Sequence, residues 1–277
     1  MLRKIIKFFA SLIILLILAI CYSFIEPYWL QIKDIDITDE DIPEAFHGVK
    51  IVFITDIHHG PFCSRGRVKK LVNTVNKLKP DMIFLGGDYV YRDNKYIKPV
   101  FEELKDLYAP EGKFGVLGNH DHWQSKSLTL QSMKDAGITD LDNSAMWINR
   151  KGEKIKIGGV GDLMTDTQDL KPTVKDVKEK DFVILLSHSP DYVEELDNYK
   201  IDLMLSGHTH GGQITFFGLW TPFIPSKYGD RYRTGIINTK YTQLIVSNGT
   251  GTVIKPVRFC ARPQILVLYM RSVKGEE

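Results

Sequence analysis

The stretch KIVFITDIHH, residues 50–59, runs the apolar residues Ile51 to Ile54 through Thr55 into an abrupt Asp-Ile-His-His ending. A short apolar run that stops at polar residues reads as a buried strand whose tip is free for chemistry. MIFLGGD (82–88), KFGVLGNHD (113–121), FVILLSHS (182–189) and DLMLSGHTH (202–210) repeat the plan. Between these runs Val68, Leu71, Val72, Val75 and Leu78 recur at helical spacing up to Lys79-Pro80, and Ile97, Phe101, Leu104 and Leu107 do so again. Strand, helix, strand is the unit of an α/β domain, and side chains at the carboxyl ends of such strands converge on one edge of the sheet, where ligands bind. Further along, 128–136 predicts a third helix, 145–159 a hairpin about Arg150-Lys151-Gly152, 192–196 a short helix, and 243–246 and 265–268 the last strands.

Seven of the eight histidines (His58, His59, His120, His122, His188, His208, His210) lie at the strand tips, and only His47 does not. A lone Asp or His after a strand is usually a turn or cap residue. Five such tips together instead offer carboxylate, imidazole and amide oxygen to one cleft, a donor set suited to Mn, Fe or Zn, and the lack of thiolates argues against a structural zinc site. Gly87, Gly118 and Gly207 are expected to let the backbone turn sharply just before each ligand.

The ordered set Asp56-x-His58, Gly87-Asp88, Gly118-Asn119-His120-Asp121, His188 and Gly207-His208-Thr209-His210 resembles the calcineurin-like metallophosphoesterases. The strings LGGDYV, GHTHGGQI, PSKYG and ARPQI are similar to the bacterial branch that includes membrane-associated phosphodiesterases acting on UDP-diacylglucosamine. The resemblance implies a four-layer α/β sandwich of two mixed sheets flanked by helices. It implies two divalent metal ions, with Asp56, His58 and His210 on one, Asn119, His188 and His208 on the other, and Asp88 bridging them. It further implies a hydrolase in which a water between the metals attacks phosphorus, His120 protonates the leaving group or stabilises its charge, and Asp121 orients it. Protein phosphatases of the superfamily carry GDYVDRG and GNHE where this chain has GDYVYRDN and GNHD, which weakens that reading. The expected reaction is hydrolysis of a phosphodiester or pyrophosphate, with a phosphomonoesterase or protein phosphatase as the alternative and a non-enzymatic binding module far behind, since no ligand is missing.

The rest of the chain bears on where this happens. Phe8 to Ile25 carries no charge, preceded by Arg3, Lys4 and Lys7 and followed by an acidic stretch, which predicts a single N-terminal transmembrane helix over 1–25 with the N-terminus cytoplasmic and the body outside. No small-x-small cleavage site closes the run, and Leu18 to Cys21 resembles a lipoprotein box except that Ile20 stands where a small residue is wanted. An acidic connector is expected over 26–47 and the metallophosphoesterase domain over 48–272. The formal charge of the 277-residue chain is +2, yet 33 basic and 33 acidic residues follow Glu26. That balance lends nucleic-acid binding no support. Cys63 and Cys260 are expected as unpaired thiols. The loop 216–233, FFGLWTPFIPSKYGDRYR, joins six aromatic residues to Lys227, Arg231 and Arg233. It reads either as an apolar wall with basic entry groups for an amphiphilic, lipid-linked phosphate, or as a loop packed by its own aromatics. A UDP-linked substrate conflicts with a body outside the cytoplasm.

Overall fold

The computed structural model describes residues 1–196 and 200–273. In chain order its elements are α1 (Leu2–Ile25), β1 (Gln31–Asp39), β2 (Lys50–Ile54), α2 (Arg65–Lys77), β3 (Met82–Leu85), α3 (Ile97–Leu104), β4 (Lys113–Gly115) and α4 (Asn119–Asp135). There follow β5 (Thr139–Asp140), β6 (Ser144–Arg150), β7 (Glu153–Gly159), α5 (Lys171–Val174), β8 (Val183–Leu186), β9 (Leu203–Ser206), β10 (Gly235–Asn238), β11 (Gln243–Val246) and β12 (Gln264–Ser272). Two six-stranded sheets result, ordered β1-β12-β2-β3-β4-β5 and β10-β11-β9-β8-β7-β6. Both are mixed: β2 to β5 run parallel while β12 opposes β2, and β7, β8, β9 and β11 run parallel between antiparallel β6 and β10.

Alternation along each strand builds the layers. Ile51 and Phe53 face Ile184 and Leu186 in a core between the sheets, while Val52 and Ile54 turn the other way. The outer face of the first sheet is covered by α2, α3 and α4, with Val68, Val72, Val75, Val100 and Leu104 fully packed against it. Each such side chain contributes about 1.5–3 kcal/mol on burial. Ser64 caps α2 by accepting the Arg67 N–H, and the left-handed Lys79 (φ 51°) before Pro80 carries the chain out of the helix. The second sheet is covered more thinly, by α5 and the 3₁₀ turn Pro190–Glu195 with Tyr192 and Val193 packed inward. This is the expected four-layer α/β sandwich.

Two expectations are corrected. The stretch 26–47 is not a free connector, because β1 pairs with β12 over its whole length and buries Ile35 and Ile37 in the central core. Its acidic residues alternate outward, so composition hides a strand whose other face is apolar. The third helix starts nine residues earlier than 128, at Asn119, and is broken by the extended Ser125. Cys63 and Cys260 are unpaired.

Candidate metal centre and adjoining cleft

The strand tips converge as their sequence predicts, but the ligand candidates themselves make the turns. Asp56, His58, Asp88, His208 and His210 all hold left-handed backbone, with φ between 49° and 68°. Such conformations cost side-chain-bearing residues about 1–3 kcal/mol each and persist where the surroundings over-determine them. The glycines act differently from expectation. Only Gly87 turns with positive φ, whereas a Cβ on Gly118 would lie 2.3 Å from Asp88 Oδ1 and one on Gly207 2.2 Å from Asp56 Oδ2. Gly118 and Gly207 are there to let the two carboxylates approach backbone closely.

Asp56, His58 and His210 bring ligand atoms within 4.8 Å of one another, and so do Asp88, His188 and His208. One oxygen, Asp88 Oδ2, lies 3.4 Å from His58 Nε2 and 3.3 Å from His188 Nε2, between the two groups. His210 Nε2 is 3.1 Å from His58 Nε2, and His208 turns its Nδ1 to 3.2 Å from His188 Nε2. Thr55 Oγ1 and the His208 N–H donate to Asp56. The His188 Nδ1–H donates to the Gly86 carbonyl at 2.8 Å, which fixes the tautomer and leaves Nε2 for the centre. Asn119 Oδ1, in the same cleft, is buried with no hydrogen-bond partner. An orphaned amide oxygen beside two Asp-His-His groups, all oxygen and nitrogen donors, fits divalent cations.

The electrostatics agree with a site built for positive charge. Burial pushes Asp56 up to about 7. Against burial, His188, His58 and His120 hold Asp88 well below the usual carboxylate range, while Asp88 and Asp56 raise His188 well above an ordinary imidazole. Burial lowers His58 to about 3 and His208 to about 4, and lowers His210 as well. Those three imidazoles are neutral at neutral pH, the form that binds metal.

His120 stands over the pair of groups, its ring 4.8 Å from that of His58 and flanked by Tyr91 and Trp123, and its Nδ1 has no partner. Asp121 does not touch that imidazole. Its carboxylate accepts the N–H groups of Asp88, Tyr89 and Gly118 and bolts the β3 and β4 tips together. His59 bonds the Cys63 carbonyl, and His122 lies 3.8 Å from Asp166, so neither joins the centre.

Three residues near the centre escape sequence reasoning. Asp162, fully buried past β7, is a carboxylate at a sixth strand tip, and its charge raises the proton affinity of His120, His188 and His208. The Gly161-Asp162 ending after an apolar run was its available signal. Arg258 is fully buried and donates to the carbonyls of His210, Asn248, Gly251 and Ala261 behind Asp56. Burial and Arg67 lower it to about 9, so it remains charged at neutral pH. Gln264 accepts the Asn248 N–H and donates its own N–H to Gly249, and Gly249 packs on the Asp56 side chain. The amide at this position thus positions a ligand candidate through the 247–249 loop.

The centre opens into a cleft of about 490 Å³ walled by Trp123, Met164, Ile214, Phe223 and Ile254, with Lys255 at the rim. Only part of the 216–233 loop behaves as expected. Pro222, Phe223 and Pro225 line the cleft, but Lys227, Arg231 and Arg233 do not; Arg231 pairs with Glu194 and Arg233 with Asp230. Trp220 instead packs on Phe216.

A two-sheet α/β sandwich that gathers two Asp-His-His groups and an orphaned amide at its strand ends defines a metal-dependent hydrolase. The family model for calcineurin-like phosphoesterases matches residues 49–212, and the chain belongs to that family. It is 34% identical to a Bacillus subtilis protein named an uncharacterized metallophosphoesterase, over 90% of this chain and 88% of that one. It is 31% identical to an Escherichia coli protein named a phosphodiesterase, over 79% and 81% of the two chains. Among solved structures, Haemophilus influenzae NAD nucleotidase shares the fold with a TM-score of 0.51 at 15% identity, over 73% of this chain and 45% of that one. The chain is a metallophosphoesterase with one N-terminal helix long and apolar enough to cross a membrane.

Proposed function

We propose that this enzyme hydrolyses a phosphodiester or pyrophosphate bond of an amphiphilic, lipid-linked substrate, using two divalent cations. The observation that carries the reading is the apolar cleft opening directly on Asp88, Asn119, His120, His208 and His210. Asp56, His58 and His210 would hold one cation and Asn119, His188 and His208 the other, with Asp88 shared, because one anionic oxygen between the groups offsets the repulsion of two cations. Bound there, the cations would supply Lewis acidity toward the phosphoryl oxygens and a water of lowered pKa. His120, with its free Nδ1, would give a proton to the departing oxygen or bind its charge. Asp121 would keep the Asp88 tip in place. Trp123, Ile214, Phe223 and Ile254 would receive the apolar part of the substrate and exclude water around it.

The test uses the full chain in detergent micelles. A long-chain phosphodiester should exceed its short-chain analogue in kcat/KM, and Phe223→Ala with Ile254→Ala should remove roughly tenfold of that preference, about 1.4 kcal/mol. Equal kcat/KM for both chain lengths would replace the lipid-linked reading with a small-molecule phosphoesterase. In parallel, Asp88→Asn should lose turnover and hold fewer than two metals by elemental analysis; an active variant with two tightly held metals would sink the bridging role.

A further inference from the structure

The exposed part of the 216–233 loop is a feature that the cleft does not use. Phe216 and Trp220 close a tight hairpin, with the Phe216 N–H on the Trp220 carbonyl at 2.7 Å and the Leu219 N–H on Phe216 at 2.9 Å. Its tip presents Phe217 and Leu219, 76% and 85% exposed, beside exposed Phe216 and Trp220. Four adjacent large apolar side chains held outward are uncommon on a surface that faces only water.

Part of the backbone of this tip is satisfied from within. The Gly218 N–H donates to Thr215 Oγ1 and the Gly218 carbonyl accepts from Arg233. Each such bond lowers the cost of moving a non-helical segment from water toward lipid.

Its location supplies the second observation. The hairpin stem bridges to Phe259, with the Thr215 N–H on the Phe259 carbonyl at 2.9 Å. The Phe259 ring contacts Phe217 on one side and Tyr22 of α1 on the other, and the Arg258 N–H donates to the Ser23 carbonyl. Tyr22 lies within the uncharged run Phe8 to Ile25, about 6 Å along the helix before Glu26. The hairpin tip therefore stands beside α1 at the depth of its last apolar turn. Just beyond, Tyr28 lies under the Arg67 guanidinium and Trp29 under that of Arg262, the aromatic and basic pairing of a membrane interface.

We infer that the hairpin 216–220 is a second membrane contact, a wedge inserted into the bilayer beside α1. The body is held at two points, so it cannot swing about its anchor. Since Ile214 and Phe223 flank the wedge and line the cleft, the cleft mouth is kept at the lipid surface. The inference rests on α1 as the anchor and not on the identity of the substrate.

The experiment places the full chain in nanodiscs of phosphatidylcholine brominated along the acyl chain and compares Trp emission with nonbrominated lipid. The difference between parent and Trp220→Phe isolates Trp220. That component should lose intensity in the brominated discs, whereas the Trp147 component, isolated with Trp147→Phe on edge strand β6, should not. Phe217→Asp with Leu219→Asp should restore the Trp220 emission and open it to an aqueous quencher, while leaving activity on bis-p-nitrophenyl phosphate unchanged. Trp220 emission indifferent to bromine, or protected from the aqueous quencher only at high protein density, would overturn the wedge, the second result assigning the tip to self-association. Chain-length dependence of kcat/KM is a separate readout, so either idea can fall without the other.

Discussion

Individual residues divide into those that bear chemistry and those that hold them in costly conformations. Five side chains of the centre sit in left-handed backbone, and the surroundings impose it: Gly207, Gly118 and Gly249 leave room for carboxylates no Cβ would admit, and Arg258 clamps the carbonyls behind them. His120 is the residue whose role is most directly measurable, because its Nδ1 is buried in the cleft without a partner. His120→Ala should lower turnover by roughly 10² to 10⁴ on an alkyl phosphodiester, the usual worth of general acid catalysis. On bis-p-nitrophenyl phosphate, whose leaving group departs unaided, the loss should shrink; equal losses on the two would mean that His120 holds phosphate or metal instead. The residues that gather at the centre were legible as candidates from residue type and position after apolar runs. Asp162 and Arg258 were not, since a single Asp after a strand that carries Lys154 and Lys156 and a single Arg in an irregular segment look like surface residues until burial is known.

At the scale of elements, sequence periodicity located the strands and helices well where each side of an element has one environment. It failed at α4, where Asp121 accepts the N–H of the N-cap residue Gly118 and starts the helix early, and Ser125 interrupts it. The junction between α1 and the body was also hidden. Glu26 is fully buried there, its carboxylate accepting the Cys260 N–H at 2.8 Å and the Ala261 N–H at 2.6 Å. Glu26→Ala leaves both donors without a partner, at about 1–3 kcal/mol each. The expected outcome is faster amide hydrogen exchange across 258–261 in the full chain, with metal content unchanged. Glu26→Gln, which keeps one acceptor oxygen, should show a smaller effect; unchanged exchange in the Ala variant would mean that the helix is tethered but not docked.

For the whole molecule, the consequential finding is that the first strand after the helix closes the first sheet. Ile35 and Ile37 are buried in the core shared by both sheets, so a chain cut before Glu40 loses two core side chains and bares the edge of β12. Compared with a chain starting at Glu26, it should lose about 3–6 kcal/mol by urea denaturation and self-associate; equal midpoints would return this segment to the status of a connector. The sequence by itself determined the α/β class, the apolar helix, the parallel strand tips and the residue types offered to the centre, because periodicity and strand endings are local properties. Only the tertiary structure decided that Asp88 Oδ2 lies between two imidazoles, that Arg231 and Arg233 of the 216–233 loop are paired away from the cleft, and that a hairpin tip stands level with the last turn of α1. Those facts depend on distances between segments as much as 237 residues apart, which packing of the two sheets sets and no local pattern records.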